Sequence, residues 1–134
     1  MEEEKIMEKN YEVCGRTLKT KAFETSFEHN VETVIWHDDV LVVLLSPTDE
    51  NGSVMKNLMN NVYGVNSQGK ILWQIDPAKM PHELWPYVDD ETNNALFTGI
   101  SLCPSGVEAT TFFSMRYTLD YKTGRILKKE SVGW

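Results

Sequence analysis

With 134 residues, 41% of them hydrophobic, the chain can build one domain around a core but is too short for a closed propeller of four or more blades. Twenty acidic residues against 13 basic ones leave a net charge of −7, which argues against nucleic acid as a partner. The longest apolar run, Val40 to Leu45, is six residues, far below a helical membrane span.

The opening Met1-Glu2-Glu3-Glu4-Lys5 is acidic where a secretory signal is basic and then apolar. No targeting segment is read, and a cytoplasmic protein is expected. Residues 1–10 are charged and expected to fray. Tyr11 to Phe27 reads as a leading hairpin around Gly15, the trailing part of an incomplete unit. A first full unit follows over about 28–76. It comprises a strand Val31–Trp36, a tight turn at His37-Asp38-Asp39, a strand Val40–Ser46, a polar loop Pro47–Lys56, and strands at Leu58–Asn66 and Ile71–Asp76. Val40 to Leu45 lacks polar alternation, so this strand should be covered on both faces and lie in the middle of the core.

The second unit, about 77–130, opens with Pro77, Pro81 and Pro86, which forbid a central strand. A loop or short helical turn is expected there, before Tyr87-Val88. Strands at Ala95–Leu102, Glu108–Asp120 and Gly124–Glu130 complete it, the second long enough to be interrupted or bulged, with a turn at Pro104-Ser105-Gly106. The fold class is all-β: two four-stranded antiparallel blade-like meanders packed face to face, a half-propeller or β-sandwich.

The duplication rests on spacing. Gly15, Gly69 and Gly124 each open a Gly-basic-x-Leu stretch, 54 and 55 residues apart. Asp38-Asp39-Val40-Leu41 and Asn93-Asn94-Ala95-Leu96 keep the same step, 55 residues, in the range of propeller blades. Gly69 and Gly124 permit their turns, and Asn66 and Asp120 cap them with side-chain hydrogen bonds. Trp73 is expected between sheets, its indole N–H on a backbone partner. Cys14 and Cys103 occupy unrelated repeat positions and read as reduced, mostly buried small hydrophobes rather than a disulfide.

Thr118 to Lys128 resembles the tryptophan-docking repeat of quinoprotein-type (PQQ-like) β-propellers, Ala-x-Asp-x-x-Thr-Gly-x-x-x-Trp. Asp120, Thr123 and Gly124 match it, while Thr118 and Lys128 stand for the Ala and the Trp. In the copy at Tyr63 to Trp73, Gly69 and Trp73 match, Asn66 stands for the Asp, and the turn is one residue shorter. The resemblance implies blade-like sheets. It does not bring the quinone cofactor, whose site in that family is the channel of a closed ring, and no cofactor is expected.

No catalytic motif is present. His37-Asp38-Asp39 and His82-Glu83 set imidazoles beside carboxylates, as a general base or a metal site requires. Asp38-Asp39 falls where a hairpin needs a turn, however, and Asn93-Asn94 replaces it in the next unit. His29 and His37, eight residues apart, match no metal-ligand spacing.

Charge is arranged more tellingly. Glu24, Glu28, Glu32, Asp38, Asp39, Asp49 and Glu50 lie in a stretch free of Lys and Arg, as do Glu83, Asp89, Asp90, Glu91 and Glu108. All 13 basic residues fall in the segments holding the Gly-basic turns. The fold should therefore gather the carboxylates on one side and steer in a cationic partner, with Trp85, Tyr87 and Trp134 as aromatic anchors at the rim. The expectation is a non-enzymatic cytosolic protein that neutralises a basic protein partner, such as an immunity protein against a bacterial nuclease toxin. The alternatives are a scaffolding half-propeller that self-associates through sheet edges, and a small-molecule-binding or hydrolytic protein using His37, Asp38 and Asp39.

Overall fold

A computed structural model of the chain describes residues 11–53, 60–76, 96–111 and 115–131. Every regular element among them is a β-strand, and the strands form three antiparallel sheets. The first sheet has β1 (Glu12–Cys14), β2 (Thr17–Lys19) and β3 (Glu24–Ser26). The central sheet is a meander of β4 (Val31–His37), β5 (Val40–Leu45), β6 (Val62–Asn66) and β7 (Ile71–Gln74). The last sheet is a second meander, β8 (Phe97–Cys103), β9 (Gly106–Thr111), β10 (Met115–Leu119) and β11 (Ile126–Ser131).

The order of the stack follows from β5. Val40, Val42 and Leu44 pack with Val62, Trp73, Ile75 and the last sheet's Phe97, Val107, Ala109, Tyr117, Leu119 and Ile126. Leu41, Val43 and Leu45 point the other way, packing with Leu18 and Phe27 from the first-sheet region and with Val31, Val65 and Leu96. Both faces of β5 are therefore dry, and none of its residues is more than 2% exposed. The unbroken apolar run that predicted this has a simple cause: a strand covered twice has no use for alternation.

The two four-stranded meanders are as expected; the leading segment is not. Where a hairpin is predicted, β1–β3 make a three-stranded sheet, tied to the central sheet's start by the Val31 N–H on Gly15 O at 2.8 Å. That bond puts the Gly15 turn beside the beginning of β4. The Gly69 and Gly124 turns lie at the opposite ends of their strands, so the first Gly-basic copy has different surroundings. β6 also starts later than Leu58, because Asn60 takes positive φ and Asn61 turns its side chain into the core. The strand expected at 108–120 is interrupted, as its length suggests, into β9 and β10. Both cysteines are free, but Cys14 is exposed on the outer strand β1 and Cys103 is half-buried at the end of β8, so neither fills the core as expected. The frayed start at 1–10 and the proline-rich segment before Tyr87 lie outside the described residues.

Candidate partner-binding surface

Two ends of the stack differ in construction and in charge. One carries the turns after β4, β6, β8 and β10; the other carries the connections after β5, β7 and β9, of which those after β5 and β7 are the long ones.

At the turn end the sheets are joined by aromatic side chains. The Trp73 indole of β7 donates from Nε1 to Tyr121 O at 2.8 Å and lies against Gly124 in the last sheet's turn. Its cross-strand partner in its own sheet is Gly64, where a Cβ would overlap the ring. The indole thus occupies a slot between two glycines, and its buried N–H finds the backbone acceptor that such a group requires. The Phe23 ring, ahead of β3, sits against Gly69 in the same manner, and Thr25 Oγ1 donates to Gly69 O at 2.8 Å. Each turn is shaped by its capping residue: Asn66 Oδ1 accepts from the Gln68 and Lys70 N–H groups, and Asp120 Oδ1 from that of Lys122.

The His37-Asp38-Asp39 turn is held at the same corner. Tyr121 donates its hydroxyl to Asp38 Oδ2, and its ring meets His37 nearly perpendicularly, with centroids 4.5 Å apart. The hydrogen bond to Asp38 pushes the Tyr121 phenol up to about 12, helped by partial desolvation and by the nearby Asp38, Asp39 and Asp120 charges. Because the folded value lies above the ordinary tyrosine range near 10, this contribution to stability is complete at neutral pH. It fades only as pH rises from the unfolded value through the folded one. In a spectrophotometric titration Asp38→Asn is expected to bring the Tyr121 transition back toward its ordinary range. An unchanged titration curve would show that the two groups do not interact.

This turn has a structural task. Asp38, at φ 54°, makes the β4–β5 turn, and with His37 it ties that turn to the β10–β11 turn. Among the described residues, no three His, Cys, Asp or Glu side chains converge as a metal site would need. His29 holds a loop: its Nε2 lies 3.0 Å from Thr48 O, so that nitrogen carries the proton.

The described carboxylates are divided between the two ends and the outer faces of the sheets. Asp38 and Asp39 stand at the turn end with Asp120, among Lys70, Lys122 and Arg125, so they do not join an acidic side. Glu24 lies on β3, in register with Lys19. Glu108, on the last sheet's outer face, pairs with Arg116 at 3.4 Å, and Arg116 also reaches Glu130 at 3.0 Å, beside Lys128. Contact with Arg116 holds the Glu130 carboxyl below its usual range. A polar network of this kind suits the exposed face of a terminal sheet.

At the connection end the carboxylates are less balanced. Glu28 and Glu32 flank the start of β4, and Asp49 and Glu50 follow β5. Glu28 accepts a 2.9 Å bond from the Tyr63 hydroxyl. Burial, and then this bond, raise the Tyr63 phenol well above its ordinary value. Asp49 is turned inward on its own loop, its Oδ1 accepting from the Asn51 and Ser53 N–H groups at 2.9 Å. Glu28, Glu32 and Glu50 are exposed. The described cations of that end are Arg16, in the β1–β2 turn, Arg116, at the start of β10 and paired with Glu108 and Glu130, and Lys129, whose Nζ lies over the Tyr117 ring, 5.6 Å from its centroid. Glu83, Trp85, Tyr87, Asp89, Asp90, Glu91 and Trp134 lie outside the described residues.

Sequence reasoning missed the tyrosines that organise these carboxylates. Tyr63 lies 35 residues from Glu28 and Tyr121 lies 83 from Asp38, and neither pairing leaves a local pattern. No curated protein matches the chain. A family model does match, covering residues 8–131, and the chain belongs to the family it describes, the domain of unknown function DUF7957.

Proposed function

We propose that this is a non-enzymatic, cytosolic binding protein that neutralises a basic protein partner, in the manner of an immunity protein against a nuclease toxin. One observation carries the reading: Glu28, Glu32 and Glu50 are exposed at the connection end, while most described lysines and arginines sit at the other end or in the Arg116 network. A net charge of −7 adds long-range attraction for a cation and repulsion of nucleic acid. Trp73 seated against the Gly124 turn supports the companion reading of the meanders as two blades of a quinoprotein-like half-propeller.

The test is capture from the native organism on the immobilised chain over a salt series. A basic protein should be retained at low ionic strength and released as salt screens the contact. Exposed charge pairs contribute about 0.2–1 kcal/mol each, so replacing Glu28, Glu32 and Glu50 together by Gln should weaken Kd by about tenfold. Co-expression with that partner should also protect a host cell from its toxicity. Retention of no basic protein, or retention indifferent to both salt and the triple replacement, would sink the reading.

A second reading, scaffolding by self-association, is favoured by Ile71 and Leu72 on edge strand β7 and Leu127 on edge strand β11, each 43% exposed. Sedimentation separates the two: a dimer that forms with concentration and captures nothing supports the scaffold.

A further inference from the structure

We propose that Asn51 is a modification site, where the chain converts its own side chain to aspartate and isoaspartate through a succinimide. Asn51-Gly52 is the one Asn-Gly pair in the sequence. Ring closure requires the backbone nitrogen of the following residue to reach the Asn Cγ, and a side chain on that residue obstructs the approach. Both residues are exposed, and a Cβ on Gly52 would meet nothing within 4 Å, so the ring has room to form.

The other described asparagines are each followed by a residue that carries a side chain, Asn60 by Asn61. Asn61 is fully buried and precedes the β-branched Val62, and Asn30 precedes Val31. Asn66 precedes Ser67 and is fixed by the two N–H groups on its Oδ1.

The step balances without a cofactor. The Gly52 nitrogen bonds to Asn51 Cγ, the Cγ–Nδ2 bond breaks, and the nitrogen's proton leaves with Nδ2 as ammonia. Water then adds across one of the two imide C–N bonds, restoring the N–H and leaving a carboxylate. Cleavage on one side gives aspartate; cleavage on the other gives isoaspartate, with the backbone rerouted through the side chain.

The loop also contains its own restraint. Gly52 N–H donates to Asp49 O at 3.0 Å, while Asp49 Oδ1 takes the N–H groups of Asn51 and Ser53 at 2.9 Å. A nitrogen held in that turn is poorly placed to attack, so reaction waits on local opening and Asp49 sets its rate. Each event adds a negative charge beside Glu50. The assignment goes beyond the binding function proposed above and does not depend on it.

The experiment is incubation of the full chain in mildly alkaline buffer, followed by isoelectric focusing and peptide mapping with isoaspartate-specific methylation. A more acidic species should accumulate, map to the 49–53 loop and carry both products. Asn51→Gln should abolish it, and Asp49→Ala should speed it several-fold. The site is overturned if the acidic species forms equally in Asn51→Gln. It is also overturned if the parent stays intact while an unstructured peptide of residues 49–53 converts fully. An Asp49→Ala rate equal to the parent's would overturn the restraint.

Discussion

Gly124→Ala is expected to destabilise the protein by about 3 kcal/mol, and to lose about half of that penalty when Trp73 is also replaced by Ala. Two effects act at this position. Gly124 has φ 74°, a conformation that strains an L side chain by about 1–2 kcal/mol. The added methyl would also come within 2.5 Å of Trp73 Cδ2, and overpacking of a closed interface costs about 1–3 kcal/mol. The indole cannot back away, because Gly64 lies in register on its own sheet and its Nε1 is fixed on Tyr121 O. Removing the ring alone, in Trp73→Ala, should cost about 3–5 kcal/mol. In that background only the φ strain remains, so Gly124→Ala should add about 1–2 kcal/mol. Urea unfolding of the four proteins in the cycle measures this. Against a total stability of about 5–15 kcal/mol these are large fractions. Simple additivity would mean that the ring and the glycine turn do not meet.

That joint also shows what a one-dimensional reading can and cannot reach. The Gly69 and Gly124 turns, their Asn66 and Asp120 caps, and the doubly covered strand Val40–Leu45 all write their constraint into adjacent residues, and each was legible. Trp73 as an inter-sheet residue with a bonded N–H was legible too, because a large ring with one donor has few other solutions. Which glycine it would meet was not: its acceptor lies 48 residues away. The Gly15 copy shows the reverse error. It has the same local residues, but the short strands β1 and β2 set it beside Val31, where no ring sits against it. The acidic side is expected from repeat phase, equivalent stretches of successive units sharing a side, yet within one stretch a meander sends alternate connections to opposite ends. The Asp38-Asp39 turn accordingly stands among the lysine-bearing turns, and Glu28 and Glu50 at the other end.

Asn61→Ala is expected to destabilise by about 3–5 kcal/mol, although the sequence marks Asn61 only as one position of the strand expected over Leu58–Asn66. Asn61 has no exposed surface. Its Oδ1 accepts the Phe97 N–H at 2.7 Å, and its Nδ2 donates to Phe97 O at 2.9 Å and to Leu45 O at 2.8 Å. The side chain therefore engages Phe97 as a neighbouring strand would, joining the central sheet to β8 where no backbone ladder connects them. Truncation leaves one buried donor and two buried acceptors short of a partner, each worth about 1–3 kcal/mol. Asn61→Asp sharpens the test, since it keeps the acceptor for Phe97 N–H but sets an oxygen against two carbonyls. Burial and those carbonyls disfavour the charged form, so the folded carboxyl should titrate above its unfolded value near 4. A group raised in this way stabilises most below its unfolded pKa and loses that contribution as pH rises through the folded one. The Asp variant should therefore unfold at lower urea at neutral pH than at about pH 4, after correction for the parent's own pH dependence. An equal loss at both pH values, or a loss in Asn61→Ala under about 1 kcal/mol, would mean that this amide does not hold the two sheets together.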